Sequence, residues 1–159
     1  MAKLNLAKVF TGMHALVYRL TGGAISGKVA GMSVLLITTV GRKSGKPHTT
    51  PLSYFPDGDR RIIVASNGGA PRHPAWWLNL QKNSTAMIQV GRQRVAVQAA
   101  EVSAADEPRL WDTIIRTYAG YDAYRGKTTR RIPLIALTEV ERGRSSDFSR
   151  VASGGVSGP

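Results

Sequence analysis

A mainly β domain with helices, of the α+β class, is the architecture this sequence predicts: a closed or partly open barrel of about six mostly antiparallel strands. Two observations carry it. Short runs rich in β-branched and aromatic residues recur between clusters of Gly, Pro, Asp and Asn. Helical periodicities are few and do not alternate with the strands as a βαβ repeat demands, so the helices pack outside the barrel. At 159 residues the chain is the size of one domain with a single core, and 42% apolar against 20% charged residues marks it as folded.

From Leu4 to Leu20, Leu4, Leu6, Val9, Phe10, Met13, Leu16, Val17 and Leu20 recur at helical spacing and Gly22-Gly23 follows as a stop. This predicts an amphipathic helix. Its other face carries Lys3, Lys8 and Arg19, which suits packing on the domain or resting on an anionic membrane surface. Residues 1–30 are therefore read as this helix and a link, 31–141 as the barrel domain, and 142–159 as a basic, Ser/Gly-rich mobile tail without apolar period.

Within the domain, strands are expected at Ser33 to Val40, His48 to Phe55, Ile62 to Ser66, Ala86 to Val90, Val95 to Val102 and Ile132 to Val140. Pro56-Asp57-Gly58-Asp59 and Gly91-Arg92-Gln93 read as hairpin turns. A short helix fits Ala75 to Lys82 after Pro74. One long helix is expected from Ala104 to about Tyr118, opened by the Ser103 to Asp106 box and burying Leu110, Trp111, Ile114 and Ile115.

The charge balance, 22 Lys and Arg against 10 Asp and Glu for a net +12, favours an anionic partner: nucleic acid, a membrane surface, or a ligand with phosphates and carboxylates. The absence of cysteine excludes disulfides, thiolate metal sites and cysteine nucleophiles, and permits a reducing compartment. With three scattered histidines, His14, His48 and His73, no metal site is expected. No apolar run approaches the roughly 20 residues of a membrane span, and no signal peptide is read.

Three stretches carry candidate chemistry. VGRKSGKP, Val40 to Pro47, fails as a phosphate loop, because Val40 stands where the first glycine belongs and Pro47 where the hydroxyl belongs. It remains a tight turn between strands whose backbone N–H groups and Arg42, Lys43, Ser44 and Lys46 suit an anion, or else a solvated basic hairpin. In SNGGAPRHPAWWLNL, Ser66 to Leu80, Asn67-Gly68-Gly69 allows close backbone approach to a ligand and Pro74 prepares a helix start; of Trp76 and Trp77, one suits the core and one a cavity wall. In TYAGYDAYRGKTTRRIP, Tyr118, Tyr121 and Tyr124 stand at three-residue spacing, either surrounding a planar substrate from one helical face or capping a helix end at the surface. No carboxylate pair, serine triad or Rossmann glycine motif is visible.

Taken together and in order, LLITTVGRKSGKPHTTPL, VASNGGAPRHPAWWLNLQKN and TYAGYDAYRGKTTRRIPLIALTEV resemble the actinobacterial deazaflavin-dependent nitroreductase and quinone reductase family, over about Val34 to Val140. The resemblance implies a split β-barrel that binds the 8-hydroxy-5-deazaflavin coenzyme F-420, whose tail carries a phosphate and several glutamates. It implies that Arg42, Lys43, Ser44, Gly45 and Lys46 hold the phosphate and the start of that tail, with Thr49 and Pro51 beyond them. Ser66, Asn67, Gly68, Gly69, Ala75 and Trp76 would face the ring, Ser66 also orienting the acceptor, and Tyr118, Tyr121 and Tyr124 would supply substrate contact or proton donation. Trp77, where a tyrosine is common, and Ser84, where a proline often follows the helix, depart from the family pattern.

The expected function is thus hydride transfer from the reduced coenzyme to a small planar acceptor: a quinone, an activated alkene or a nitroaromatic. The expected place is the cytoplasm, at most peripheral on the inner face of the membrane through the N-terminal helix. Two other readings use the same features: an FMN-binding split-barrel oxidoreductase with the basic turn on the FMN phosphate, and a nucleic-acid-binding barrel whose basic residues track phosphates.

Overall fold

Seven strands and three helices make up the described part of the chain: β1 (Lys28–Val29), β2 (Met32–Val40), β3 (Pro47–Asp57), β4 (Arg60–Val64), α1 (Ala75–Lys82), β5 (Thr85–Val90), β6 (Gln93–Glu101), α2 (Glu107–Thr117), α3 (Gly120–Gly126) and β7 (Leu134–Glu139). The computed structural model describes residues 28–29 and 32–140; the expected N-terminal helix and the tail from 142 lie outside the described residues. Every strand pairing is antiparallel, in the order β1-β2-β3-β4-β7-β6-β5, and β5 pairs back onto β2. Strands β2 to β7 therefore close a six-stranded barrel with β1 appended to the start of β2.

Alternation along each strand divides the apolar residues into two cores. Leu35, Ile37, Ile63, Ile88, Val97, Ile135 and Leu137 point into the barrel, where Trp76, Trp77 and Leu80 of α1 pack against them. Phe55, Ile62, Val64, Leu134 and Ala136 point outward and are covered by Leu110, Trp111 and Ile114 of α2 and by Tyr121 of α3. Each core receives every second residue of β4 and β7, which is why these strands read as continuous apolar runs.

Three expectations change. Pro56 and Asp57 continue β3, paired with Arg61 and Arg60, and Gly91-Arg92 alone make the second hairpin turn, since Gln93 pairs with Val90. The long helix begins at Glu107 rather than Ala104. A start at Ala104 would set Pro108, which has no N–H, inside the helix with its ring against the Ala104 carbonyl. Instead the Ser103 hydroxyl and carbonyl accept the Asp106 N–H, at 3.2 and 3.1 Å, in a turn that precedes α2. A second outer helix, α3, follows, tied to α2 by the Arg125 guanidinium 4.7 Å above the Trp111 ring.

An ion-pair group fixes α2 to the β3–β4 hairpin. Arg109 of α2 donates to the Asp57 carboxylate at 2.8 Å, Arg60 donates to it from β4, and both arginines reach Asp106 at 3.3 Å. The Arg109 hydrogen bond first, and the Arg60 hydrogen bond next, hold the Asp57 carboxyl at about 2, below its ordinary 3.8.

Two stability measurements follow from this packing. Ile135→Ala, at a fully buried position in the barrel interior, lowers the free energy of urea unfolding by about 2–5 kcal/mol. Because the Asp57 pKa is depressed on folding, its contribution is complete above about 3.8 and is lost as pH falls through about 2. Thermal unfolding of Asp57→Asn is accordingly less pH-dependent than that of the unaltered protein between pH 4 and 2, and starts from a lower Tm at pH 6.

Candidate functional site

β3 changes partners along its length. Residues 47–54 pair with β2, whereas only Phe55, Pro56 and Asp57 pair with β4. The first part of β3 thus has a strand on one edge alone, and Pro51, which has no N–H to offer a second neighbour, sits within it. A cleft opens there. It is a cavity of about 560 Å³ lined from β3 by Thr50 to Ser53, from the end of β4 by Val64, from the following loop by Ser66, Asn67 and Gly68, and from α1 and its N-cap by Pro74, Ala75 and Trp76. Tyr121 of α3 completes the wall. The volume suits a cofactor-sized ring system, and the lining mixes apolar walls with hydroxyl and amide groups and no carboxylate.

The Arg42–Ser44 turn that joins β2 to β3 lies outside this cavity; Lys46, the residue before β3, stands four residues from Thr50, roughly 13 Å at strand rise. Its backbone is occupied internally: the Gly41 N–H bonds the Lys46 carbonyl and the Gly45 N–H the Gly41 carbonyl, both at 2.8 Å, while the Lys46 N–H bonds Ser44 Oγ at 3.2 Å. Charge is therefore offered by side chains. Lys43 and Lys46 are exposed and form no ion pair among the described residues. Thr49 stands between turn and cavity, its hydroxyl 2.8 Å from that of Thr38.

Asn79 of α1 connects the two places. It is 4% exposed; its amide donates to Thr39 Oγ1 at 3.1 Å, and its carbonyl oxygen accepts the Arg42 N–H at 3.1 Å and Arg42 Nη1 at 3.3 Å. Lys82, one turn further on, donates to the Arg42 carbonyl at 3.2 Å. The first turn of α1 thus borders the cavity while its last turn holds the basic turn. Nothing in the sequence singles out Asn79, because an asparagine within a helix reads as a surface residue.

The loop after β4 runs through a left-handed turn, with φ of 47° at Asn67, 63° at Gly68 and 80° at Gly69. At Gly69 a Cβ would lie 2.8 Å from the Tyr124 carbonyl oxygen and 2.9 Å from Lys127 Cβ, so glycine lets α3 sit directly on the loop. Asn67 Nδ2 closes the loop on the Arg72 carbonyl at 3.0 Å. Arg130, absent from the candidate residues above, donates to three carbonyls of the loop and to His73. Burial and then the Arg130 charge hold His73 below its ordinary 6.5.

The tyrosines occupy different environments. Tyr118 is extended, at φ −149°, which ends α2 and folds its ring over Gly120, so the three phenols do not share one continuous helical face. They stack edge to face instead, Tyr118 and Tyr124 each 5.7 Å from Tyr121, which meets Phe55 at 5.8 Å. Tyr121 lines the cavity; Tyr118 and Tyr124 brace it from the outer core. Burial pushes the Tyr121 phenol above 10, against the pull of a hydrogen bond with Ser53, so it stays protonated at neutral pH.

Of the residues singled out in the sequence, Pro51, Ser66, Asn67, Gly68, Ala75, Trp76 and Tyr121 meet in the cavity. Arg42, Lys43, Ser44, Gly45 and Lys46 form the separate turn, Gly69 lies beneath α3, and both Trp76 and Trp77 are buried in the barrel core. Among the described residues no group of His, Asp and Glu is placed to hold a metal ion, and no helix is long and apolar enough to cross a membrane.

Comparison with known proteins gives the family. Residues 11–139 match the family model described as F420H(2)-dependent quinone reductase. An F420H(2)-dependent quinone reductase of Mycobacterium tuberculosis is 41% identical over 130 residues, covering 79% of this chain and 87% of its own length. Among solved structures, an F420-H2-dependent reductase aligns with a TM-score of 0.59 and 33% identity, over 65% of this chain and 92% of that one. A second, described as a domain-swapped dimer, aligns at 0.61 and 29%, over 79% and 96%. With a split-barrel fold, a family match over most of its length and this level of identity, the chain belongs to the F420H(2)-dependent quinone reductase family of deazaflavin-dependent oxidoreductases.

Proposed function

We propose that this chain reduces a quinone at the cavity between β3 and the Ser66 loop, with the ring of coenzyme F-420 in that cavity and the anionic tail on the Arg42–Lys46 turn. One observation carries the placement: a single eight-residue helix borders an uncharged, partly apolar slot at its start and secures a turn with exposed lysines at its end. The separation from Thr50 to Lys46, roughly 13 Å at strand rise, suits a ligand with a flat head and a charged tail. The donor set fits such a ligand. Lys43 and Lys46 give charge-assisted contacts to phosphate or carboxylate. The first N–H groups of α1, at Ala75 and Trp76, have no carbonyl one turn earlier in the helix to bind.

When bound, the reduced coenzyme supplies hydride from C5 of its deazaflavin ring. The chain's own residues bind, orient and protonate. Trp76 and Pro51 provide flat apolar walls, and the absence of a carboxylate from the slot keeps negative charge from being repelled as it develops. Tyr121, protonated and held in place by its aromatic neighbours and Ser53, donates a hydrogen bond to the acceptor oxygen as charge builds there. Ser66 lines the same slot and orients the acceptor through its hydroxyl.

Titration with the oxidised deazaflavin, followed by fluorescence quenching beside an FMN control, tests the placement. Lys46→Ala and Asn79→Leu each weaken coenzyme binding about tenfold, the first by removing charge and the second by releasing the turn, while FMN binds poorly to all three proteins. Unchanged affinity in both variants would detach the turn from the coenzyme. For Tyr121→Phe the expected result is a fall in kcat of about tenfold or more with an unchanged coenzyme Kd; an unchanged kcat would assign the proton to another donor.

A further inference from the structure

Arg130 stands between α3 and β7, and its guanidinium is spent on backbone. Nη2 donates to the Ser66 carbonyl at 2.7 Å, Nε to Ala70 at 2.9 Å, and Nη1 to Ala65 and Arg131 at 3.2 Å, with His73 Nδ1 also 3.2 Å from Nη1. No carboxylate pairs with it among the described residues, whereas its neighbour Arg131 is paired with Glu101 and Glu107. A half-buried cation held by carbonyl dipoles and an imidazole nitrogen, without a carboxylate, is a poor way to gain stability, because partial charges offset desolvation less well than a carboxylate does. It is a strong way to fix peptide orientation.

The peptide geometry gives that orientation a consequence. In a trans peptide the carbonyl and the following N–H point in opposite directions. No cis peptide occurs among the described residues, so turning the Ala65 and Ser66 carbonyls onto Arg130 turns the N–H groups of Ser66 and Asn67 away from it. Neither N–H has an acceptor among the described residues, and both residues line the cavity. The guanidinium also draws electron density toward those carbonyls, which strengthens the N–H groups as donors.

We propose that Arg130 is a positioning residue of the coenzyme site: by holding the carbonyls of Ala65, Ser66 and Ala70 it presents the Ser66 and Asn67 N–H groups to the polar edge of the deazaflavin ring. The inference rests on the coenzyme placement above. It also joins the two walls of the cavity. Arg130 lies four residues beyond the end of α3, which bears Tyr121 and rests on Gly69, so the coenzyme loop and the acceptor wall are set by one segment.

The test is a deazaflavin titration of the unaltered protein, Arg130→Lys, Arg130→Ala with and without added guanidinium ion, and Arg131→Ala, with amide hydrogen exchange of residues 66–73 in the ligand-free state. Arg130→Lys keeps the charge and loses the fork. It is expected to weaken binding about tenfold or more and to speed exchange in the loop. Guanidinium ion at concentrations well below denaturing restores affinity to Arg130→Ala and to no other variant. Arg131→Ala, which loses two ion pairs, stays within about twofold of the unaltered affinity. Unchanged affinity in Arg130→Lys overturns the inference, as does an equal loss in Arg131→Ala, which would mean general destabilisation. Where Arg130→Ala does not fold, Arg130→Lys decides. Failure of the unaltered protein to bind the deazaflavin overturns the coenzyme placement and this inference with it, a result distinct from normal binding that is indifferent to Arg130.

Discussion

β3 pairs on one edge with β2 and reaches β4 only in its last three residues, and the rest of the site depends on that division. A barrel closed evenly around its circumference fills its interior with side chains and leaves no slot. Here closure is completed elsewhere, by β5 on β2 and by β6 on β7, so the sheet holds together while the first part of β3 is left without a second partner. That free edge is filled by the loop after β4 and the start of α1, which line the cavity with amide and hydroxyl groups. Local pairing thus gives the cavity its place, and the continuous inner core gives it a rigid floor.

α1 is the second fixed part. Trp76, Trp77 and Leu80 anchor it to the barrel interior, and buried Asn79 makes three hydrogen bonds on its inner face. Burying an amide is unfavourable unless it is satisfied, and this one is satisfied by Thr39 of β2 and by the turn that follows β2. An apolar residue would pack as well against the core and would leave the Arg42 backbone without its partner. Basic turn and cavity consequently keep a constant separation, as a ligand with a charged tail and a flat head requires.

The outer helices supply the remaining wall. Tyr121 reaches the cavity from a stack of aromatic rings that also belongs to the outer core, so one residue serves both the packing and the cavity wall. Gly69 and Arg130 tie the loop after β4 to the C-terminal end of α3 and the residues that follow it. Motion of that segment would move both walls together.

Much of this was legible in the sequence, and the reasons are local. Short β-branched and aromatic runs between turn residues marked the strands, Pro74 marked the start of α1, and the crowding of Gly and basic residues marked the Val40 to Pro47 turn. The three stretches that carried the family resemblance are the three that border the cavity or its extension. What the sequence concealed were contacts between residues distant along the chain. Asn79 and Arg130 look like an ordinary polar helix residue and one of two adjacent arginines; their partners lie 37 to 40 and 57 to 65 residues away. Three tyrosines at equal spacing look equivalent, yet one extended residue at Tyr118 and a glycine beneath its ring turn a single one into the cavity. Residue order determined which elements form and which charges are available; only tertiary packing decided which side chains meet, because burial and hydrogen-bond partners are properties of neighbours in space.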